Sequence, residues 1–145
     1  MNIVQNLLLN YYFLTFAFAW ILSIVMKALW HSWKDRKRFY LKDGIQNGGM
    51  PSSHTAVVSS LTFSLLFNTG LSDLFFIAAI FSSIVISDAI RVRKNIGLQG
   101  EKLNELLRKF DEKTIKVVYG HSLIQVVAGA ILGLVCAFVF KILLF

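Results

Sequence analysis

Two histidines, His54 and His121, each stand at the start of an apolar segment. His54 ends the stretch Gly48-Gly49-Met50-Pro51-Ser52-Ser53-His54. Paired glycines let the backbone turn without a Cβ penalty. Pro51, the single proline, suits the first turn of a helix, where no amide donor is needed. Ser52, Ser53 and His54 then fall in that first turn, whose free N–H groups and positive dipole end make an anion site. Two hydroxyls and an imidazole beside such amides suit a phosphate group. The same residues also suit an ordinary helix start, and this stretch alone does not choose.

The elements that must position these groups are apolar. Of 145 residues, 56% are hydrophobic and mean hydropathy is +0.63, too apolar for a soluble domain of this size. One domain, 1–145, is expected. Four segments, at about 3–29, 51–67, 71–90 and 122–145, approach the ~20 residues a bilayer requires. The first lacks a basic leader region, so no cleaved signal peptide is expected. An Asn68-Thr69-Gly70 turn joins the second and third. The expected fold is all-α, a polytopic helical bundle of about four transmembrane helices plus an amphipathic cytoplasmic helix. Leu103, Leu106, Leu107 and Phe110 give that helix its stripe, and Glu105 with Lys109 forms an i, i+4 pair. It lies on the membrane, lids the bundle, or is a solvated connector. Gly129 and Gly133, with Ala128 near their face, permit close helix approach within the bundle or to a second copy, a homo-oligomer. Cys136, the single cysteine, implies neither disulfide nor metal site.

Charge sets the topology. Net charge is +7, and nearly all of it flanks apolar runs instead of covering a polar fold, so nucleic acid is not an expected partner. Lys34, Arg36, Lys37, Arg38 and Lys42 follow the first segment; Arg91, Arg93, Lys94, Lys102, Arg108, Lys109, Lys113 and Lys116 follow the third. Positive-inside bias then puts both loops in the cytoplasm of a bacterial-type plasma membrane and both termini outside. Trp30 and Trp33 fit an interfacial belt. On this topology Lys27, His54, Asp88, Arg91, Arg93 and His121 reach one membrane face. Ionisable groups at that depth point to function, although Lys27, Arg91 and Arg93 also suit snorkelling and Asp88 also suits a simple ion pair.

The Gly-Met-Pro-Ser-Ser-His element resembles the Pro-Ser-Gly-His motif of the type 2 phosphatidic acid phosphatase superfamily, which includes acid phosphatases and vanadium-dependent haloperoxidases. With Ser87-Asp88-Ala89, Val92-Arg93, Gln99, Leu103-Asn104 and Gly120-His121, the chain is more closely similar to the small divergent membrane branch, from about residue 27 to 133. The resemblance implies that His121 attacks phosphorus to form a phosphohistidine and that His54 protonates the leaving oxygen. Ser52, Ser53, the backbone at Gly49, Arg93 and Lys27 would hold phosphate. Neither metal nor other cofactor is expected: no carboxylate cluster suggests Mg²⁺, and the histidines lack metal-ligand spacing.

Two departures stand out. The superfamily carries an arginine before the nucleophilic histidine where this chain has Ile115, and an aspartate four residues after it where this chain has Gln125. Gln125 can accept the ring N–H and orient His121 but cannot neutralise an imidazolium, a task left to Asp88. The expected activity is hydrolysis of a membrane lipid phosphate, such as phosphatidic acid, phosphatidylglycerophosphate or an isoprenyl (pyro)phosphate. The alternatives from other classes are a weak or inactive protein that binds anionic lipid, and a small anion transporter.

Overall fold

The computed structural model describes residues 9–36, 38–45 and 48–144, and every regular element in them is helical. The expectations for residues 1–8, Lys37 and Phe145 lie outside the described residues. In chain order the elements are α1 (Tyr11–Asp35), the short α2 (Leu41–Ile45), α3 (Ser53–Thr69), α4 (Asp73–Ser87), a π-helical turn (Asp88–Val92), α5 (Arg93–Lys109) and α6 (Leu123–Leu144).

Side-chain caps place the helix starts. Asn10 Oδ1 accepts the Phe13 N–H at 3.1 Å, Ser52 Oγ accepts the Thr55 N–H at 3.4 Å, and Ser72 Oγ accepts the Phe75 N–H at 3.3 Å. Gly70 ends α3 at φ 62°, a left-handed value that a Cβ would disfavour. The tight α3–α4 turn is therefore where the sequence indicated it.

At the centre of the bundle is α3, which packs against α1, α4 and α6. Its contact with α6 is the closest. A Cβ on Gly129 would lie 2.5 Å from the Ser52 carbonyl oxygen, and one on Gly133 would lie 2.6 Å from that of Ala56. The glycine pair thus serves packing within the bundle. Thr55, Ser59, Ser60 and Ser64 are buried along α3, with Ala56 in the core against Ala19, Leu132 and Cys136. Small residues give α3 close neighbours on several sides. By contrast α4 leaves Phe76, Ile77, Ile80, Phe81 and Ile84 exposed, as a helix facing lipid does.

Helix directions separate the two ends. Tyr11 donates its hydroxyl to the Ala137 carbonyl at 3.0 Å, and Lys141 Nζ donates to Asn68 Oδ1 at 2.7 Å. The start of α1, the α3–α4 turn and the end of α6 therefore share one end; His54, Asp88 and His121 share the other.

Three differences from expectation have physical causes. Among the described residues, three helical stretches, Tyr11–Lys34, Asp73–Lys109 and Leu123–Leu144, are long and apolar enough to cross a membrane. The 17-residue α3 is shorter, about 26 Å at 1.5 Å per residue, and is rich in Ser and Thr because it lies among the others. The first helix continues to Asp35, where Arg36 turns left-handed at φ 49°, so Lys27 sits inside α1 and not at its end. The amphipathic helix is no separate loop element: α4, the π turn and α5 run on continuously, and Glu105 pairs with Lys102 at 3.0 Å, not with Lys109.

Candidate active site

The start of α3 is fixed by Ser52. This residue is fully buried, its hydroxyl caps the helix and also accepts from Thr55 Oγ1 at 3.0 Å. Pro51 accordingly precedes the cap and does not enter the first turn; the Met50–Pro51 peptide is cis. The Ser52 N–H donates to the Gln125 carbonyl at 2.9 Å, which ties the start of α3 to the start of α6. Ser53, next in line, is 9% exposed and its hydroxyl has no hydrogen-bond partner among the described residues. A buried hydroxyl left in that state costs stability unless something else meets it.

His121 is held from two sides. The π turn loosens the helical ladder, and its Ala89 carbonyl accepts the His121 backbone N–H at 3.0 Å. Gly120 allows the approach: a Cβ there would sit 2.7 Å from that same carbonyl oxygen. On the ring side, Nδ1 lies 3.1 Å from Gln125 Oε1, and the same oxygen accepts the Ser122 N–H at 3.0 Å. A backbone N–H can only donate, so the Gln125 atom facing the ring is an acceptor. Nδ1 therefore carries the proton and Nε2 keeps its lone pair. His121 is 8% exposed, and burial holds its pKa below the ordinary histidine value. The Gln125 hydrogen bond opposes this shift, while the positive charges of Lys27 and Arg93 and the neighbouring His54 reinforce it.

The His54 and His121 ring centres are 6.5 Å apart, inclined at 55°. His54 is exposed where His121 is buried. In the π turn, Asp88 Oδ2 receives a hydrogen bond from Arg93 Nε at 3.0 Å, with both side chains half-exposed. The i, i+5 spacing is the one a π turn stacks on one face. One Arg93 nitrogen is thus engaged, and its terminal N–H groups have no partner among the described residues. Arg93 lies within electrostatic range of both histidines.

A pocket of about 440 Å³ runs from this cluster into the bundle. At its polar end are Lys27, Ser53, His54, His121 and the backbone of Gly48; its further walls are apolar. Gly48 and Gly49 both adopt left-handed φ, 85° and 82°. Gly48 lines the pocket, while Gly49 backs onto α1, where a Cβ would meet His31 Nε2 at 2.6 Å and Lys27 Cγ at 2.9 Å. The structure thus gathers Lys27, Ser53, His54 and His121 at one pocket, and sets Asp88, Arg93 and Gln125 around it. Ser52 and Gly49 stand behind it, as the cap and the packed turn. Sequence reasoning passed over His31, whose buried Nε2 has no hydrogen-bond partner among the described residues. It also passed over the apolar wall of α1, although Phe16, Trp20 and Ile24 recur at helical spacing.

The chain returns to His121 along α5. Asn104 clamps Ile115 with two hydrogen bonds, donating to its carbonyl at 2.9 Å and accepting from its N–H at 2.8 Å. The Tyr119 hydroxyl donates to Glu101, while Gly97 and Gly100 let Tyr119 and Val117 lie close. This strap delivers Gly120-His121 to the π turn. It accounts for Asn104 as a structural member of the motif set.

No solved structure matches the chain. A membrane protein of Bacillus subtilis (strain 168), YuiD, described as uncharacterized, is 34% identical over 110 residues, 63% of this chain and 70% of the relative. That likeness and the three long apolar helices make the chain an integral membrane protein. A family model described as "Divergent PAP2 family" matches residues 8–136, a range that takes in both histidines, the π turn and the strap, and the chain belongs to that phosphatase-related family.

Proposed function

We propose that the protein is a metal-independent lipid phosphate phosphatase, acting on a phosphomonoester or pyrophosphate of a membrane lipid through a phosphohistidine. The observation that carries this reading is the pair of imidazoles, 6.5 Å between centres, at the polar mouth of an apolar pocket. Both rings line the same pocket, so a phosphoryl group held at its polar end can face the two of them.

His121 Nε2 is the nucleophile. Its lone pair forms the N–P bond as the P–O bond to the lipid breaks, and His54 gives its proton to the departing oxygen. Neutral His54 then takes a proton from water, whose oxygen attacks phosphorus; the N–P bond breaks and inorganic phosphate leaves. Gln125 keeps the His121 proton on Nδ1 throughout. Lys27, the Ser53 hydroxyl and the free N–H groups of Arg93 face the charge that spreads over the phosphoryl oxygens, the main task in this chemistry. Asp88 holds Arg93 and lies within electrostatic range of His54. The cationic groups gather at one end and the pocket beyond them is apolar, which suits an amphiphile better than an anion path. With the basic loops on the cytoplasmic side, the site opens at that face and both termini lie outside.

Phosphate release by purified protein across a panel of lipid phosphates tests the reading. His121→Ala is expected to abolish release. His54→Ala should lose about 10²–10⁴-fold, with partial recovery on a leaving group that needs no proton. Wild-type turnover by either variant overturns the assignment.

A further inference from the structure

The apolar part of the pocket has a shape that bears on substrate choice. Its walls are Phe16, Trp20 and Ile24 from α1 and Phe81 and Val85 from α4, over a floor that includes Val57 of α3. Both α1 and α4 pack on α3, and the pocket lies between them. Trp20 and Phe81 remain 52% and 56% exposed, so the groove is open to the side. From Lys27 to Phe16 it follows α1 for about 16 Å at 1.5 Å per residue. That is about half of the ~30 Å hydrocarbon core, the depth of one leaflet.

We propose that this groove holds one hydrocarbon chain of the substrate, so that the site selects phosphates carried on a single chain over those carried on two. The proposal rests on the phosphatase reading for its headgroup. The 440 Å³ lies toward the small end of the ~300–1,000 Å³ of small-ligand pockets, and the phosphate takes part of it. Gly44, Ile45 and Gly48 also line the pocket beside the polar cluster. Gly44 is pressed onto α1, where a Cβ would meet the Ile24 carbonyl oxygen at 2.1 Å. The first bonds after the phosphate therefore run under this roof, and a second chain that branches there collides with it. The Ser53 hydroxyl, 9% exposed, unpartnered among the described residues and lining the same pocket, marks where the phosphate or its ester oxygen anchors.

Trp20 provides a direct readout. The chain has three tryptophans, so Trp30→Phe with Trp33→Phe leaves Trp20 alone. In a His121→Ala background, which prevents turnover, a single-chain alkyl phosphate brominated along its chain should quench Trp20 saturably. Unlabelled alkyl phosphate should compete, and a two-chain phosphatidate of the same chain length should compete about tenfold less well. Val85→Phe should remove the saturable quenching by filling the groove. Equal competition by the two-chain lipid, or unchanged quenching in Val85→Phe, overturns the proposal. Phosphate release from the single-chain lipid, followed in parallel with the active protein, separates the two readings. Quenching without release removes the phosphatase and keeps the groove; release without quenching does the reverse.

Discussion

The two flanks of α3 are built in opposite ways. Toward α6, backbone meets backbone: Gly129 and Gly133 leave no room for a methyl group, and the Ser52–Gln125 hydrogen bond closes the seam. Toward α1 and α4, bulky side chains stand apart around an open groove. The closed flank ties the start of α3 to the start of α6, and so holds His54 and His121, which line the open side, at the fixed separation that reaction chemistry requires. The open flank has only to admit a flexible chain, for which tight packing would be an obstacle. One helix therefore combines rigidity for the reacting groups with looseness for the ligand.

The largest test of this contrast is a pair of substitutions. Gly129→Ala forces a methyl group toward the Ser52 carbonyl oxygen and is expected to cost ~1–3 kcal/mol, seen as a lower Tm and reduced turnover. Phe81→Ala, on the open flank, should cost ~0.5 kcal/mol or less, as at other exposed sites. Equal losses in Tm would break the comparison.

The π turn supplies the next test. Asp88→Asn leaves Arg93 without its ionic partner, and phosphate release should fall. Tm should hold to within the ~0–1 kcal/mol that an exposed pair contributes, since both side chains are half-exposed. Full activity with a lowered Tm would make the pair structural only.

The smallest effect concerns pH. Burial keeps the His121 pKa low, so its imidazole stays neutral below the ordinary histidine range and the acid limb of kcat/KM should fall below pH 6.5. Gln125→Glu would place a carboxylate beside the ring and favour the imidazolium, moving that limb upward. The variant then loses activity first on the acid side while its maximum holds. An unmoved limb would mean that another group sets it.

Much of this was legible in the sequence, for local reasons. Apolar runs, the Asn68-Thr69-Gly70 turn and the Gly129–Gly133 pair act through hydropathy, φ and size, which residue types carry directly. The two histidines could be placed at one end from span order alone. The role of Ser52 was not visible, because a serine in a first turn and a serine at a cap differ by one residue of register. The partner of Glu105 was hidden similarly, since i, i+3 and i, i+4 neighbours are equivalent on paper. The π turn has no sequence signature here, and without it Asp88 and Arg93, five apart, would not share a face. The groove was missed because it exists only where α1 and α4 fail to meet.

The π turn also acts as a phase element. An α-helix advances by about 100° per residue. One residue added or removed between Asp88 and Val92 would therefore rotate everything beyond by that angle, turning Asn104, Glu101 and the whole return strap away from the bundle. His121 reaches the pocket only because the long helix is clocked correctly at this point, so its position is encoded some thirty residues upstream of itself. Length changes in this short stretch should thus be far less tolerated than substitutions, even where every contacting side chain is retained.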